Sequence, residues 1–491
     1  MTDATSGPAA STPDSPDTRS VDALPPPSRL AALSLQHLFI MYAGAVAVPL
    51  IVGPAIGLGN GDVALLVSAD LLVSGIASII QSAGIGKIIG VRLPVVAGAT
   101  FTVVNPMIII ANQFGGRSGL PAVYGALLIA GVFGLLIAKP FSMMLRFFPP
   151  LVTGTVITMI GLSLIGADIG LIAGNRLSRF VATIPLTGHR GKPVIRDGSV
   201  VMVINPDSGQ ISHIALAMSV VLMIVLISRL CRGFIGQVAV LISIVLGTLF
   251  AWPMGQLDFS SVSSARWIGV AAPFHFGDPK FEIAAIMSMC VVVLVAYAES
   301  TAGLLAVSEL AGRPLGPGDL ARGLATDGLS AVLAGIMNSF PDTAYAQNVG
   351  LVGMTRIRSR WVVTACGILL IFLGLIPKVG AAVSDLPAPV IGGAATVMFA
   401  MVTAIGIRTL HKTSFEDNDN LLILAVSLAA GLIPAVQPAF YQHFPPDFQV
   451  IFGSSITSTA IIVFVLNLAF NHWRGRSRSG EDSVRPSGAL R

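Results

Sequence analysis

From Leu33 to Asn471 the chain alternates long apolar blocks with short polar punctuation. The blocks run about 17 to 25 residues, the length a helix needs to cross roughly 30 Å of hydrocarbon. Cutting at the punctuation predicts about fourteen spans, starting near Leu33, Val63, Leu93, Ala122, Leu151, Ile214, Ile235, Ile283, Leu320, Asp342, Trp361, Pro389, Leu421 and Val450. Continuous apolar runs rather than alternating ones predict helices and not a barrel. The third and tenth spans break the pattern. In "FPDTAYAQNVGLVGMTR", Phe340 to Arg356, Pro341 excludes a helix through Ser339 to Pro341, so the chain is expected to run extended and to start a half-helix near Ala346. The first amides of such a half-helix are unpaired and its dipole end is positive, a ready binder of carbonyl oxygens. Gln347 on that first turn offers a donor and an acceptor, which suits a flat heterocycle edged with N–H and C=O groups. Gly350, one turn on, leaves room for close helix packing or for a ligand.

The basic residues report orientation. Lys87, Arg92, Lys139, Arg146, Arg229, Arg232, Arg313, Arg322, Arg356, Arg358, Arg360, Arg408 and Lys412 follow even-numbered spans, and Arg474, Arg476 and Arg478 lie in the tail. Both termini are therefore expected in the cytoplasm. The segment from Gly174 to Ser212 is then external despite Arg176, Arg179, Arg190, Lys192 and Arg196. Two pairs of segments look like copies: "PPLVTGTVITMIG" from Pro149 with "APVIGGAATVMFA" from Ala388, and "RLPVVAGATFTVV" from Arg92 with "SFPDTAYAQNVGLVG" from Ser339. Two repeats of about seven spans follow, and an odd number makes them inverted, the architecture of secondary transporters.

Composition agrees with this pattern. Of 491 residues, 54% are hydrophobic and 11% charged, which excludes a water-soluble globular protein. The net charge of +5 is scattered over short loops, so it marks topology and not a nucleic-acid partner. Residues 1–32 read as a disordered cytoplasmic tail without the features of a signal peptide. Cys231, Cys290 and Cys366 have unrelated spacings in or beside apolar spans, and no set of ligand residues predicts a metal or a cofactor.

Ionisable groups inside spans cost a few kcal/mol and need a reason. The candidates are His37, Asp70, Asp168, Glu299 and Asp327. Glu299, in "VVVLVAYAESTAGLLAV", is the sharpest, against the alternative of a structural carboxylate bonded to a neighbouring hydroxyl. Asp327 serves function or orients a helix. Asp70 and Asp168 read as structural, and His37, beside Gln36, as a hydrogen-bonder between helices.

"QNVGLVGMTR" resembles the signature of the nucleobase–ascorbate transporter family, in which a polar residue and Asn precede Gly and, after a gap, Thr with a basic or small residue. "QHLFIMYAGAVAVPLIVG", "YAESTAGLLA" and "ATDGLSAVLAGIMNSFP" resemble that family's first, eighth and ninth spans. The resemblance runs from Leu33 to about Asn471. It implies an all-α polytopic membrane protein of about fourteen helices in two inverted repeats. The core domain would be residues 33–140 and 257–380, the gate domain 141–256 and 381–471, and a basic cytoplasmic tail 472–491. It implies that Glu299 accepts hydrogen bonds from ring N–H groups and that Gln347 pairs with the opposite polar edge. Asn348 would hold its neighbours, Phe101 would stack on the ring, and Ala346 would stand at the half-helix start. Asp327 would support coupling, with His37 and Thr355 as further supports. Uracil carriers of the family tend to have Glu at the Gln347 position, ascorbate carriers Pro, and xanthine or urate carriers Gln. One departure is Gly303, where many members carry Asp or His, and Asn105 could replace some of that hydrogen bonding.

The implied activity is import of an oxidised purine by cation symport, H⁺ favoured over Na⁺, with an elevator-type core movement. The protein would be multi-pass in the cell membrane and homodimeric. The alternatives are a uracil or other nucleobase permease, an anion exchanger or channel of the same architecture, and a membrane enzyme using Glu299 with Asp327. The enzyme lacks a nucleophile or metal set, and the anion carrier would be expected to have a soluble domain after the last span.

Overall fold

The computed structural model describes residues 21–86, 88–174, 183–185, 195–196, 199–200, 202–204, 209–255, 257, 260–355, 357–416 and 418–473. In chain order the elements are α1 (Pro27–Ala45), α2 (Ala47–Ala55), α3 (Asn60–Ala83), β1 (Ala97–Ala99), α4 (Val104–Gln113), α5 (Leu120–Met143) and α6 (Pro150–Ile172). Four short strands follow, β2 (Thr183–Pro185), β3 (Ile195–Arg196), β4 (Ser199–Val200) and β5 (Met202–Ile204). Then come α7 (Ile211–Leu230), α8 (Phe234–Gln237), α9 (Ala239–Ala251), α10 (Ser260–Ser264), α11 (Ile283–Ala311), α12 (Pro317–Met337), β6 (Asp342–Ala344) and α13 (Ala346–Thr355). The last are α14 (Arg360–Gly374), α15 (Pro377–Ser384), α16 (Ala388–Leu410), α17 (Asn418–Val436), α18 (Pro446–Phe452) and α19 (Ser455–Asn467).

Among the described residues, 10 helices are long and apolar enough to cross a membrane, or 11 if α14 and α15 are one span bent by 78°. That bend departs from the single span expected from Trp361, and Pro377 explains it, since its ring forbids helix continuation from the preceding turn. The chain is thus a multi-pass, predominantly helical membrane protein.

The first helix starts at Pro27, six residues ahead of the expected Leu33, because proline is favoured in the first helical turn. Residues 21–26, expected within a disordered tail, are fastened down instead. Arg360 binds the Asp22 carboxylate at 2.6 Å, Ser359 donates to the Ala23 carbonyl, and Trp361 Nε1 donates to the Asp22 carbonyl. Residues 1–20, residues 474–491, Lys87, Arg356 and most of the segment expected outside the cell, Gly174 to Ser212, lie outside the described residues.

Small residues set how the long helices meet. Gly75 of α3 touches the backbone of Gly367 in α14, Gly131 of α5 touches Val332 and Gly328 of α12, and Gly161 of α6 touches Thr403 of α16. Each pair runs antiparallel: Gly154 meets Leu410 while Gly392 meets Ile172, and Gly335 meets Leu128 while Gly134 meets Gly328. Close backbone approach without side-chain bulk is how helices associate where lipid supplies no hydrophobic drive.

Two broken segments cross in the interior. β1 pairs antiparallel with β6, with Ala97 opposite Ala344 and Ala99 opposite Asp342. The ladder continues through Thr100 N–H to the Pro341 carbonyl at 3.0 Å and Tyr345 N–H to the Val96 carbonyl at 2.9 Å. Pro94 and Pro341 forbid helix there, and buried backbone must still be satisfied, so the two extended pieces satisfy one another. A single 3₁₀ turn, Phe101–Val103, leads from β1 into α4, and β6 leads into α13.

Candidate functional site

The strand crossing brings two helix starts to one cavity. Thr100 caps the 3₁₀ turn by accepting from the Thr102 amide at 3.2 Å. Both hydroxyls then donate to one carboxylate oxygen of Glu299 on α11, at 2.9 and 3.1 Å. One Glu299 oxygen is occupied by threonines. The side chain lines a cavity of about 230 Å³ together with Phe101, Gly303, Ala346 and Gln347. Arg408 and Lys412, at and just beyond the end of α16, line the same cavity and bring positive charge to it. Phe101 is buried and meets Phe399 of α16 edge-on, with ring centroids 5.3 Å apart.

Asn348 is buried and faces away from this space. Its Nδ2 lies 3.0 Å from both the backbone carbonyl and Nδ1 of His37, so the first turn of α13 is tied to α1. Tyr345, also on the cavity wall, lies against Gly44 of α1 so closely that a Cβ there would sit 1.3 Å from the phenolic oxygen. Behind the strands lies a set of buried carboxylates. Asp342 accepts hydrogen bonds from Ser74 and Ser330, both at 2.6 Å. Asp70 takes a longer one, 3.4 Å, from Ser339, and its second oxygen has no partner among the described residues. Ser300 accepts the Ala344 amide at 2.9 Å and stands beside Asp327, whose two oxygens lack well-formed hydrogen bonds. Carboxyl groups buried together are costly without hydrogen-bond partners, and serines supply the ones found here.

The structure therefore gathers Glu299, Phe101, Gly303, Ala346 and Gln347 round one cavity, with Asn348 and His37 supporting it. Asp327 does not line that cavity. Asn105, expected beside it, lines a different one. Gly350 has open space where a Cβ would go, so close helix packing at that position is not found. It lines instead a wider cavity of about 860 Å³ that also includes Ala346 and Gln347. Thr355 donates to the Leu351 carbonyl of its own helix at 2.8 Å, and Asp168 is bonded by Thr396 in the α6–α16 pair, both away from Glu299. Sequence reasoning missed Thr100, Thr102, Arg408 and Asp342. "ATFT" does carry a signal, for its threonines alternate around Phe101 next to a proline-broken segment. Among the described residues no group of three or more His, Cys, Asp or Glu is arranged to hold a metal ion.

Comparison with known proteins places the chain. The model of the Permease family (Xan_ur_permease) matches residues 28–189 and 192–440. The chain is 38% identical over 478 residues to the uric acid transporter UacT of Escherichia coli strain K12, covering 97% of this chain and 93% of that one. It is 38% identical over 440 residues to the xanthine permease of Bacillus subtilis strain 168, covering 90% and 93%. Among solved structures, the transmembrane domain of the cyanobacterial bicarbonate transporter BicA superposes with a TM-score of 0.54 at 14% identity, covering 90% of this chain and 98% of that one. Murine Slc26a9, an anion transporter in its inward-facing state, gives 0.59 at 12% identity, covering 91% and 69%. At that identity the two structures speak for the fold alone.

Proposed function

The chain belongs to the Permease family, and we propose that it is a secondary active transporter importing an oxidised purine, xanthine or urate, by symport with a cation, the proton rather than Na⁺. The observation that carries this reading is the pairing of Glu299 with Gln347 on one cavity at a strand crossing. A carboxylate only accepts hydrogen bonds, and Thr100 and Thr102 already hold one of its oxygens, so the other is left for ring N–H groups. A carboxamide both donates and accepts, which matches a ring edge with adjacent C=O and N–H. The relatives named as uric acid and xanthine permeases support the same substrate class.

The reading extends to architecture. About fourteen spans in two inverted repeats are supported by the antiparallel pairing of α6 with α16, each with a proline in its first turn, and of β1 with β6. The contacts of α3 with α14 and of α5 with α12 are the pair of contacts that such a symmetry exchanges. Spans one to four and eight to eleven form a core that moves against a gate of the remaining spans, the Phe101–Phe399 contact lying between them. Loop charges put both termini in the cytoplasm. Asp327, with no cationic partner among the described residues and beside Ser300, the neighbour of Glu299, is the residue assigned to coupling.

Uptake of labelled xanthine, urate, guanine and uracil by cells making the protein, with and without a protonophore, tests the reading. Xanthine or urate should accumulate and the protonophore should abolish accumulation. Accumulation of uracil alone would overturn the purine assignment, and insensitivity to the protonophore would overturn proton coupling.

A further inference from the structure

Asn105 lies one turn beyond Phe101 on the same broken segment, yet it takes no part in the Glu299 cavity. It lines a second cavity of about 350 Å³. Asn105, Ile108, Ile109 and Asn112 all face this space, and their spacing puts them on one side of α4. Helix α6 spans both cavities: Ile157 lines the first and Ser163 the second, about 9 Å further along the helix. Phe101, edge-on to Phe399, stands at the first cavity just before α4 turns its polar face to the second.

The second cavity has its own chemistry. Among the described residues no Asp, Glu, Lys or Arg lines it, whereas Glu299, Arg408 and Lys412 line the first. Its polar walls are carboxamides, a phenol and the Ser163 hydroxyl, which donates to the Ile160 carbonyl of its own helix at 3.0 Å. Asn112 donates one N–H to the Ala55 carbonyl at 3.3 Å, and Gln449 donates to the Gln442 and Phe444 carbonyls at 3.3 and 2.7 Å. Their carbonyl oxygens remain as acceptors. Asn105 makes no hydrogen bond with any described residue, so its carboxamide has both a donor and an acceptor to offer to the cavity, and Tyr441 adds a ring face and a hydroxyl. Asn105, Asn112 and Gln449 are half-buried, and carboxamides in such a recess are suited to a planar heterocycle edged with N–H and C=O groups.

We propose that this cavity is a second purine subsite, on the far side of Phe101 from Glu299, built on Asn105, Asn112 and Gln449. The proposal rests on the purine-transport reading above. A purine occupies this subsite on its way to or from the Glu299 cavity, and the absence of charge makes it less selective among purines than Glu299 and Gln347 are.

The test uses the full chain with Cys231, Cys290 and Cys366 replaced and xanthine uptake retained. Ala435→Cys places a thiol on the subsite wall without removing any of its polar groups. Xanthine should slow maleimide labelling of that thiol at least about threefold, with protection surviving Glu299→Gln and lost in Asn105→Leu. In the otherwise unaltered chain, Asn105→Ala should raise the uptake KM about fivefold while Vmax stays within about twofold. If Asn105→Leu does not reach the membrane, Asn112→Ala takes its place in the labelling experiment. Xanthine uptake without protection at Ala435→Cys would overturn the subsite and leave the transport reading standing. Protection that vanishes with Glu299→Gln and persists in Asn105→Leu would also overturn it, since the slowing would then come from movement triggered at the first cavity. Failure of the unaltered chain to take up any purine would overturn both.

Discussion

Asn348 gives its amide nitrogen to two acceptors of one residue, the carbonyl oxygen and Nδ1 of His37, each at 3.0 Å. The contact joins the first turn of the half-helix α13 to α1, two elements 311 residues apart in sequence. Asn348 ties the half-helix to α1 and does not line the Glu299 cavity. Asn348→Ser keeps one donor and cannot reach both acceptors, so the turn bearing Gln347 loses its anchor. We expect Vmax of purine uptake to fall about tenfold while equilibrium binding in membranes weakens less than about threefold. Equal losses in binding and rate would show that Asn348 contacts the substrate.

Asp342 is the structural counterpart. Its carboxylate takes 2.6 Å hydrogen bonds from Ser74 of α3 and Ser330 of α12, and its backbone amide donates to Ser330 at 3.1 Å. Asp342→Ala takes the acceptor from two buried hydroxyls and unties strand β6 from α3, leaving the backbone amide of residue 342 on Ser330 as its bond to α12. Each stranded group costs about 1–3 kcal/mol, so the purified protein should melt well below the unaltered one in detergent. Ser74→Ala removes one bond and leaves the other, and should have a smaller effect. A melting temperature unchanged by Asp342→Ala would mean that the strand crossing is held by its backbone ladder alone.

How much of this was legible in the sequence follows from the range of each interaction. Pro341 announced both the extended piece and the start of α13 at Ala346, because a proline acts on its immediate neighbours. Pro377 acted just as locally, but its bend was hidden by apolar residues that continue through it. Glu299 stood out as a charge in an apolar run. Its two threonine partners lie 199 and 197 residues away, and no local pattern couples positions so distant. Asp342 marks in sequence only the start of the tenth span, beside a proline, and only the packing of α3 and α12 shows what its carboxylate binds. Asn105 was singled out as polar near the third-span break, but the side of α4 it occupies depends on one 3₁₀ turn whose phase the sequence does not display.

Gly303 has a steric role that can be checked. A Cβ at this position would lie 2.9 Å from the Ala344 Cβ in strand β6, closer than side-chain carbons pack. Gly303→Ala should push the strand away from α11 and cut uptake about tenfold or more, at near-normal abundance in the membrane. Ala344→Gly removes the clashing methyl, so the double variant Gly303→Ala with Ala344→Gly should recover much of the loss. Absence of recovery would place the need for glycine in the cavity and not in the strand contact.

Glu299 and Gln347 together make the most demanding prediction. Glu299→Gln preserves the volume and can still accept from Thr100 and Thr102, but its NH₂ group then presents a donor where a ring N–H also donates. Uptake should be abolished while the protein stays in the membrane. Gln347→Glu makes the opposite change. It removes the donor that meets a ring carbonyl and puts a second negative charge on the cavity wall. Losing one such buried pair costs about 1–3 kcal/mol, a loss of affinity of about 5- to 150-fold for xanthine and urate. Arg408 and Lys412 line the same cavity, so the added charge has cationic neighbours and the variant should still fold and insert. Its ranking of analogues should move towards rings that present N–H donors in place of that carbonyl, uracil among them. Competition for uptake across purine and pyrimidine analogues measures the ranking directly. An unchanged ranking in Gln347→Glu would mean that the start of α13 is only a break in a helix, and the purine assignment would lose the amide on which it depends.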